Sequence, residues 1–84
     1  MKAVLAKRVD SGRADLTEFR ELAAAAGYEI VGEITQTRAE DTAHHFGQGK
    51  VTEIAELVAR TDAETAIIDN EVGPYQMFNI GRIL

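Results

Sequence analysis

Hydrophobic and polar positions along this chain switch repeatedly between strand-like and helix-like spacing. Lys2 to Val9 has an apolar centre at Val4, Leu5 and Ala6, bounded by the turn Asp10-Ser11-Gly12-Arg13, and predicts a short strand. Leu16, Phe19, Leu22, Ala23 and Ala26 then recur at helical spacing up to Gly27, with Asp15 expected as N-cap and Glu18 completing a capping box. From Tyr28 to Thr37 the period drops to two: Tyr28, Ile30, Gly32 and Ile34 face one way, Glu29, Glu33, Thr35 and Thr37 the other, and only Val31 breaks the alternation. One face of that strand should be wet. Arg38 to Gln48 reads as a polar loop, and Val51, Ile54, Leu57 and Val58 mark a second amphipathic helix ending near Arg60. Ala66-Ile67-Ile68 is continuously apolar, which predicts a strand covered on both faces. After the turn Asp69 to Gly73, Pro74 suits the first position of a third helix running through Met77, Phe78 and Ile80.

Strand and helix alternate three times, which predicts an α/β fold: a small, doubly wound, open parallel sheet with right-handed crossovers and helices on both faces. The half-wet second strand belongs at an edge, so the expected order is 2-1-3. Gly12-Arg13, Gly47 to Lys50 and Asp69 to Glu71 then share the rim at the strands' C-terminal ends, where open α/β sheets bind ligands. The last helix runs into Gly81-Arg82-Ile83-Leu84 without a cap, and the unfinished repeat leads us to expect that residues 1–84 are one domain of a longer chain, cut before a further strand.

Composition narrows the functional classes. With 84 residues there is room for one domain, and 45% hydrophobic residues with three Phe, two Tyr and no Trp imply a core of aliphatic side chains. The lack of Cys excludes a disulfide framework and any thiolate zinc site. No apolar run is long enough to span a bilayer and no signal peptide opens the chain, so no membrane is expected and a cytoplasmic location is. A net charge of −5 argues against coating nucleic acid by bulk attraction, so any RNA contact must be local.

The stretch with the clearest chemical shape is Phe46-Gly47-Gln48-Gly49-Lys50, leading into a helix. Two glycines can present backbone N–H groups, the helix start adds partial positive charge and Lys50 a full one, so the spot suits a phosphate oxygen. The competing reading is that the glycines merely shape a turn. A nucleotide-hydrolysing P-loop is excluded, because the positions that need Gly and Ser or Thr hold His44 and Val51. His44 and His45 read as solvent-facing loop residues, since adjacent histidines point apart and nothing completes a metal shell. Asp69, Asn70 and Glu71 suit either a magnesium ion beside a phosphate or an ordinary turn. No catalytic residues are evident.

Several segments together resemble the N-terminal domain of HflX-type, ribosome-associated GTPases. The carriers are Asp15 to Leu22 with Ala26-Gly27, Val31 to Gln36, Phe46 to Val51 with Glu53-Ile54, and Ile68 to Glu71 with Pro74-Tyr75-Gln76 and Asn79. The resemblance, which points to an archaeal source, implies a protein in which this domain precedes a helical hairpin and a G domain, both outside residues 1–84. GTP and Mg2+ are expected in that G domain and no cofactor in these residues. It further implies association with the large ribosomal subunit, contact with rRNA, and regulation of the protein's own C-terminal GTPase domain. The expected RNA- or phosphate-binding residues are Gly47, Gly49, Lys50, Arg13 and Arg38, with no catalytic or metal-binding residue. The alternative is a domain that holds the phosphates of ATP or GTP on the Gly47-Gln48-Gly49-Lys50 turn.

Overall fold

A computed structural model describes all residues, Met1 to Leu84. The elements follow in the order β1 (Lys2–Val9), α1 (Thr17–Ala25), β2 (Glu29–Thr37), α2 (Gln48–Arg60), β3 (Thr65–Ile68) and α3 (Pro74–Ile83). All pairings are parallel and the sheet order is β2-β1-β3. The crossovers β1–α1–β2 and β2–α2–β3 run in opposite directions across the sheet and put α1 on one face, and α2 with α3 on the other, as right-handed connections require. The fold is thus the doubly wound α/β sheet that the alternating periods predict.

Val31, the residue that breaks the alternation of β2, is a β-bulge. Ala3 pairs with Ile30 but Val4 pairs with Gly32, so Val31 is the extra residue on β2. Beyond it Gly32 lies beneath α2, where a Cβ would stand 3.1 Å from Leu57 Cδ2. The missing side chain lets α2 sit close against the sheet.

The core lies between the sheet and the α2–α3 layer. Ala6, Phe46, Val51, Ile54 and Ile80 are buried together, flanked by Ile34, Val58, Ala66, Ile68, Val72 and Ile83. Phe46 is its largest member and burying it contributes on the order of 2–3 kcal/mol. On the opposite face α1 is the sole cover, holding Leu16 and Ala23 inside while Arg20 reaches across to form a two-pronged ion pair with Glu33 of β2.

Four expectations need correcting. Helix α1 starts at Thr17, not after Asp15; the Asp15 carboxylate accepts the Thr17 N–H at 2.9 Å as a local turn, and no capping box with Glu18 forms. Leu22 is 61% exposed because one helix cannot cover three strands, and its flank overhangs the end of β3. β3 is half-buried at all four residues, and β1 is instead the covered strand, with Ala3 to Ala6 at 0% exposure; β3 has no neighbour on its outer side. In α3, Met77 and Phe78 face outward, while Gln76 and Ile80 turn in. Pro74 does occupy the first turn, and the Gly73 N–H ahead of it donates to Gln76 Oε1 at 3.0 Å.

Candidate anion-binding rim

The C-terminal ends of the strands are knitted by side chains rather than by further ladder. Asn70 pairs with the backbone of Arg8 in both senses, accepting its N–H and donating to its C=O, each at 2.9 Å, so a carboxamide extends β3 by one step. Lys7 meets Asp69 at 3.0 Å, and Thr37 Oγ1 donates to Gly12 O at 2.7 Å, joining the β1–α1 turn to the end of β2. Asp69 and Asn70 are therefore engaged in the turn itself, and no three His, Asp or Glu side chains stand together as a metal-binding group.

Loop 38–47 is the centre of the rim. It is closed by paired backbone hydrogen bonds between Asp41 and His45, at 3.0 and 2.9 Å, and it is fastened to α3. Gln76 Nε2 donates to Glu40 Oε2 at 2.5 Å and to Asp41 O at 2.8 Å, and Asn79 Nδ2 donates to Ala43 O at 2.9 Å. The Asp41 carboxylate accepts the N–H groups of His44 and Ala43 at 2.8 and 2.9 Å. Those donors favour the ionised form and hold its pKa below the usual carboxylate value.

The histidines do not face solvent as expected. His45 is 2% exposed, with a left-handed backbone at φ 66° and its ring edge-on to Phe46 at 5.1 Å. Phe46 is drawn into the core and carries its neighbour with it. Arg8, itself 8% exposed, donates from Nε to His45 Nε2 at 3.3 Å and from Nη1 to Asp10 at 2.7 Å and to Arg38 O at 2.8 Å. His45 Nδ1 has no hydrogen-bond partner, the nearest carboxylate oxygen being Glu40 Oε2 at 4.0 Å. His44 is partly covered and lies 3.6 Å from Asp41. Arg8 shares strand parity with the buried Val4 and Ala6, and that parity was the signal available in the sequence.

Four of the five expected binding residues come together. Gly47 is the N-cap of α2, its N–H held by Gln36 Oε1 at 2.9 Å. The Arg38 guanidinium lies directly over it: a Cβ on Gly47 would come within 2.4 Å of Arg38 Nη1. Gly49 and Lys50 fall inside the first turn of α2, which starts three residues before Val51, so the glycine stretch begins a helix instead of wrapping as a loop. The Lys50 and Val51 N–H groups bond back to Gly47 O at 2.9 and 3.2 Å, leaving those of Gln48 and Gly49 as the orphan donors of the helix start. Lys50 Nζ is 2.6 Å from Glu53, which offsets part of its charge. Arg13 stands apart, exposed on the β1–α1 turn, with no hydrogen bond or ion pair to the other four.

A family model described as the GTP-binding GTPase N-terminal domain matches residues 13–84. Among curated proteins, the GTPase HflX of Thermofilum pendens is 37% identical over 76 residues, covering 86% of this chain and 18% of its own length. The GTPase HflX of Thermococcus kodakarensis is 35% identical over 72 residues, covering 86% of this chain and 16% of its own. The GTPase HflX of Escherichia coli is 37% identical over 75 residues, covering 88% and 18%. The chain thus spans less than a fifth of the length of these relatives.

Proposed function

The chain belongs to the GTP-binding GTPase N-terminal family, as the N-terminal domain of an HflX protein, and on that premise we propose that it is a binding and regulatory module of a cytoplasmic GTPase. In this reading the domain contacts rRNA of the large ribosomal subunit through Arg38, Gly47, Gly49 and Lys50, with Arg13 as an outlying contact, and modulates a GTPase domain elsewhere in the protein. GTP and Mg2+ bind in that G domain. No helix here is long and apolar enough to cross a membrane.

The observation that carries the reading is the placement of the Arg38 guanidinium over Gly47, beside two unpartnered amides at the start of α2. A planar cation and oriented N–H groups, on a body of net charge −5, make a local electropositive spot of the kind a phosphate oxygen occupies. The nucleotide alternative draws less support: Gln36 already occupies the Gly47 amide, and a helical first turn offers too few converging donors to cradle a polyphosphate.

Lys50→Ala and Arg38→Ala in the full-length protein test the reading by co-sedimentation with large ribosomal subunits. Both variants should bind more weakly, and the deficit should be greater at low salt than at high salt. Unchanged sedimentation at both salt concentrations removes this rim from the interface.

A further inference from the structure

His45 is a buried histidine that plays no part in the anion-binding reading. Its Nε2 accepts the Arg8 Nε–H at 3.3 Å, and its Nδ1, which then carries the ring proton, finds no acceptor. An N–H buried without a partner is a cost, and so is a left-handed backbone at φ 66° on a residue other than glycine. The closed position is held by a small margin. Several charges surround the ring. On β1, Arg8 is buried against it, while Asp10, the partner of Arg8, is exposed. On loop 38–47, Arg38 meets Arg8 through its carbonyl, and exposed Glu40 brings Oε2 to 4.0 Å from Nδ1 but already accepts from Gln76, the uncharged residue that α3 contributes. The Asp41 carboxylate is turned to the Ala43 and His44 N–H groups, with the His44 ring 3.6 Å away. Charges further round are paired elsewhere, Asp69 with Lys7 and Lys50 with Glu53.

A second proton on this ring falls on Nε2 and makes both nitrogens donors. It meets the Arg8 N–H head-on and sets two cations together where solvent screens little; Glu40, in solvent and beyond hydrogen-bond reach of Nδ1, offsets only part of this. One of the two side chains must leave. Arg8 is kept by Asp10, by the Arg38 carbonyl and by the Asn70 clamp on its backbone, whereas His45 is otherwise tied only to Asp41 of its own loop. The ring is the part that moves, and Phe46, fixed in the core, is where the movement stops. We propose that His45 is a proton-operated latch on loop 38–47: neutral, it closes the loop on Arg8; protonated, it swings out and frees residues 38–45, taking Arg38 off Gly47. The latch is independent of what the rim binds. A released histidine takes up one proton more than the closed one, so closure is complete above about pH 6.5 and weakens below it, by up to about tenfold in the closed-to-open ratio per pH unit.

The test is amide hydrogen exchange of the full-length protein, read by mass spectrometry from about pH 7.5 to about pH 5.5 and corrected for the intrinsic pH dependence of exchange. Peptides covering residues 38–45 should lose protection several-fold as the pH falls through this range, while those covering β1 keep theirs. His45→Gln retains an acceptor for Arg8 but cannot take up the proton, so its loop should show the same protection at every pH; His44→Gln should behave as the wild type. Constant protection of residues 38–45 in the wild type overturns the proposal. So does a parallel loss in β1, which reports general unfolding, or an undiminished pH dependence in His45→Gln, which places the proton elsewhere. Should His45→Gln leave the loop open at every pH, the wild type and His44→Gln decide between them: a pH dependence that persists without His44 supports the latch, and one that vanishes with His44 refutes it.

Discussion

Arg8 donates a hydrogen bond from Nε to Nε2 of His45 across 3.3 Å, inside the protein and 37 residues apart in sequence. A guanidinium has no acceptor, so Nε2 must carry the lone pair and the imidazole proton must sit on Nδ1. One side chain thereby sets the tautomer of the other. Removing Arg8 strips His45, Asp10 and the Arg38 carbonyl of a charged donor at once. Arg8→Ala should cost on the order of 3 kcal/mol in urea unfolding, and Arg8→Lys should recover little, because an ammonium cannot serve all three acceptors in one plane.

Gly47→Ala should separate stability from binding. Its backbone, at φ −61°, tolerates any residue, and the atom a new Cβ would strike is the tip of the flexible Arg38 side chain, at 2.4 Å. The expected stability change is within about 1 kcal/mol. Arg38 must swing away, so ribosomal co-sedimentation should fall towards the level of Arg38→Ala.

Asp41 is expected to make the domain less stable in acid. Its folded pKa lies below the ordinary value of 3.8 because two backbone N–H groups stabilise the ionised form. A depressed carboxylate contributes its full stability above the unfolded value and loses it as pH falls through the folded one. Glu33, held down by Arg20, acts in the same sense. Urea midpoints should therefore drop as pH is lowered from about 5 to below 3.8, and Asp41→Asn should flatten that dependence.

Gln76 is the clasp between α3 and loop 38–47, at 7% exposure with bonds to Glu40, Asp41 and Gly73. Gln76→Ala should cost about 1–3 kcal/mol by removing at once its hydrogen bonds to Glu40, the Asp41 carbonyl and the Gly73 N–H. Amide hydrogen exchange should show the loop's own paired N–H groups, those of Asp41 and His45, losing protection before the sheet does.

Much of the architecture was legible because it depends on local period. Alternation in β2 carried the edge position, its single fault at Val31 fell where the bulge stands, and the glycines at 47 and 49 marked the start of α2 to within a few residues. What stayed hidden depends on distant partners. His45 turns inward only because Arg8 of β1 awaits it, and Gln76 can be buried only because Glu40 and Asp41 supply its bonds. Helical spacing in α3 is satisfied equally by Met77 with Ile80 and by Gln76 with Ile80, and tertiary contacts choose between them. The five-residue site was half-resolved in the same way: Arg38 and Gly47 meet through the fold, whereas Arg13, near them only in the rim's outline, does not join.

Arg8 also stands where the three loops that follow the strands meet. Its backbone is clamped by Asn70 beyond β3, while its guanidinium holds Asp10 ahead of α1 and both Arg38 and His45 ahead of α2. The three loops that follow the strands are therefore all fastened to one residue of β1. A substitution at this one position should loosen the surroundings of all three loops at once, although each follows a different strand.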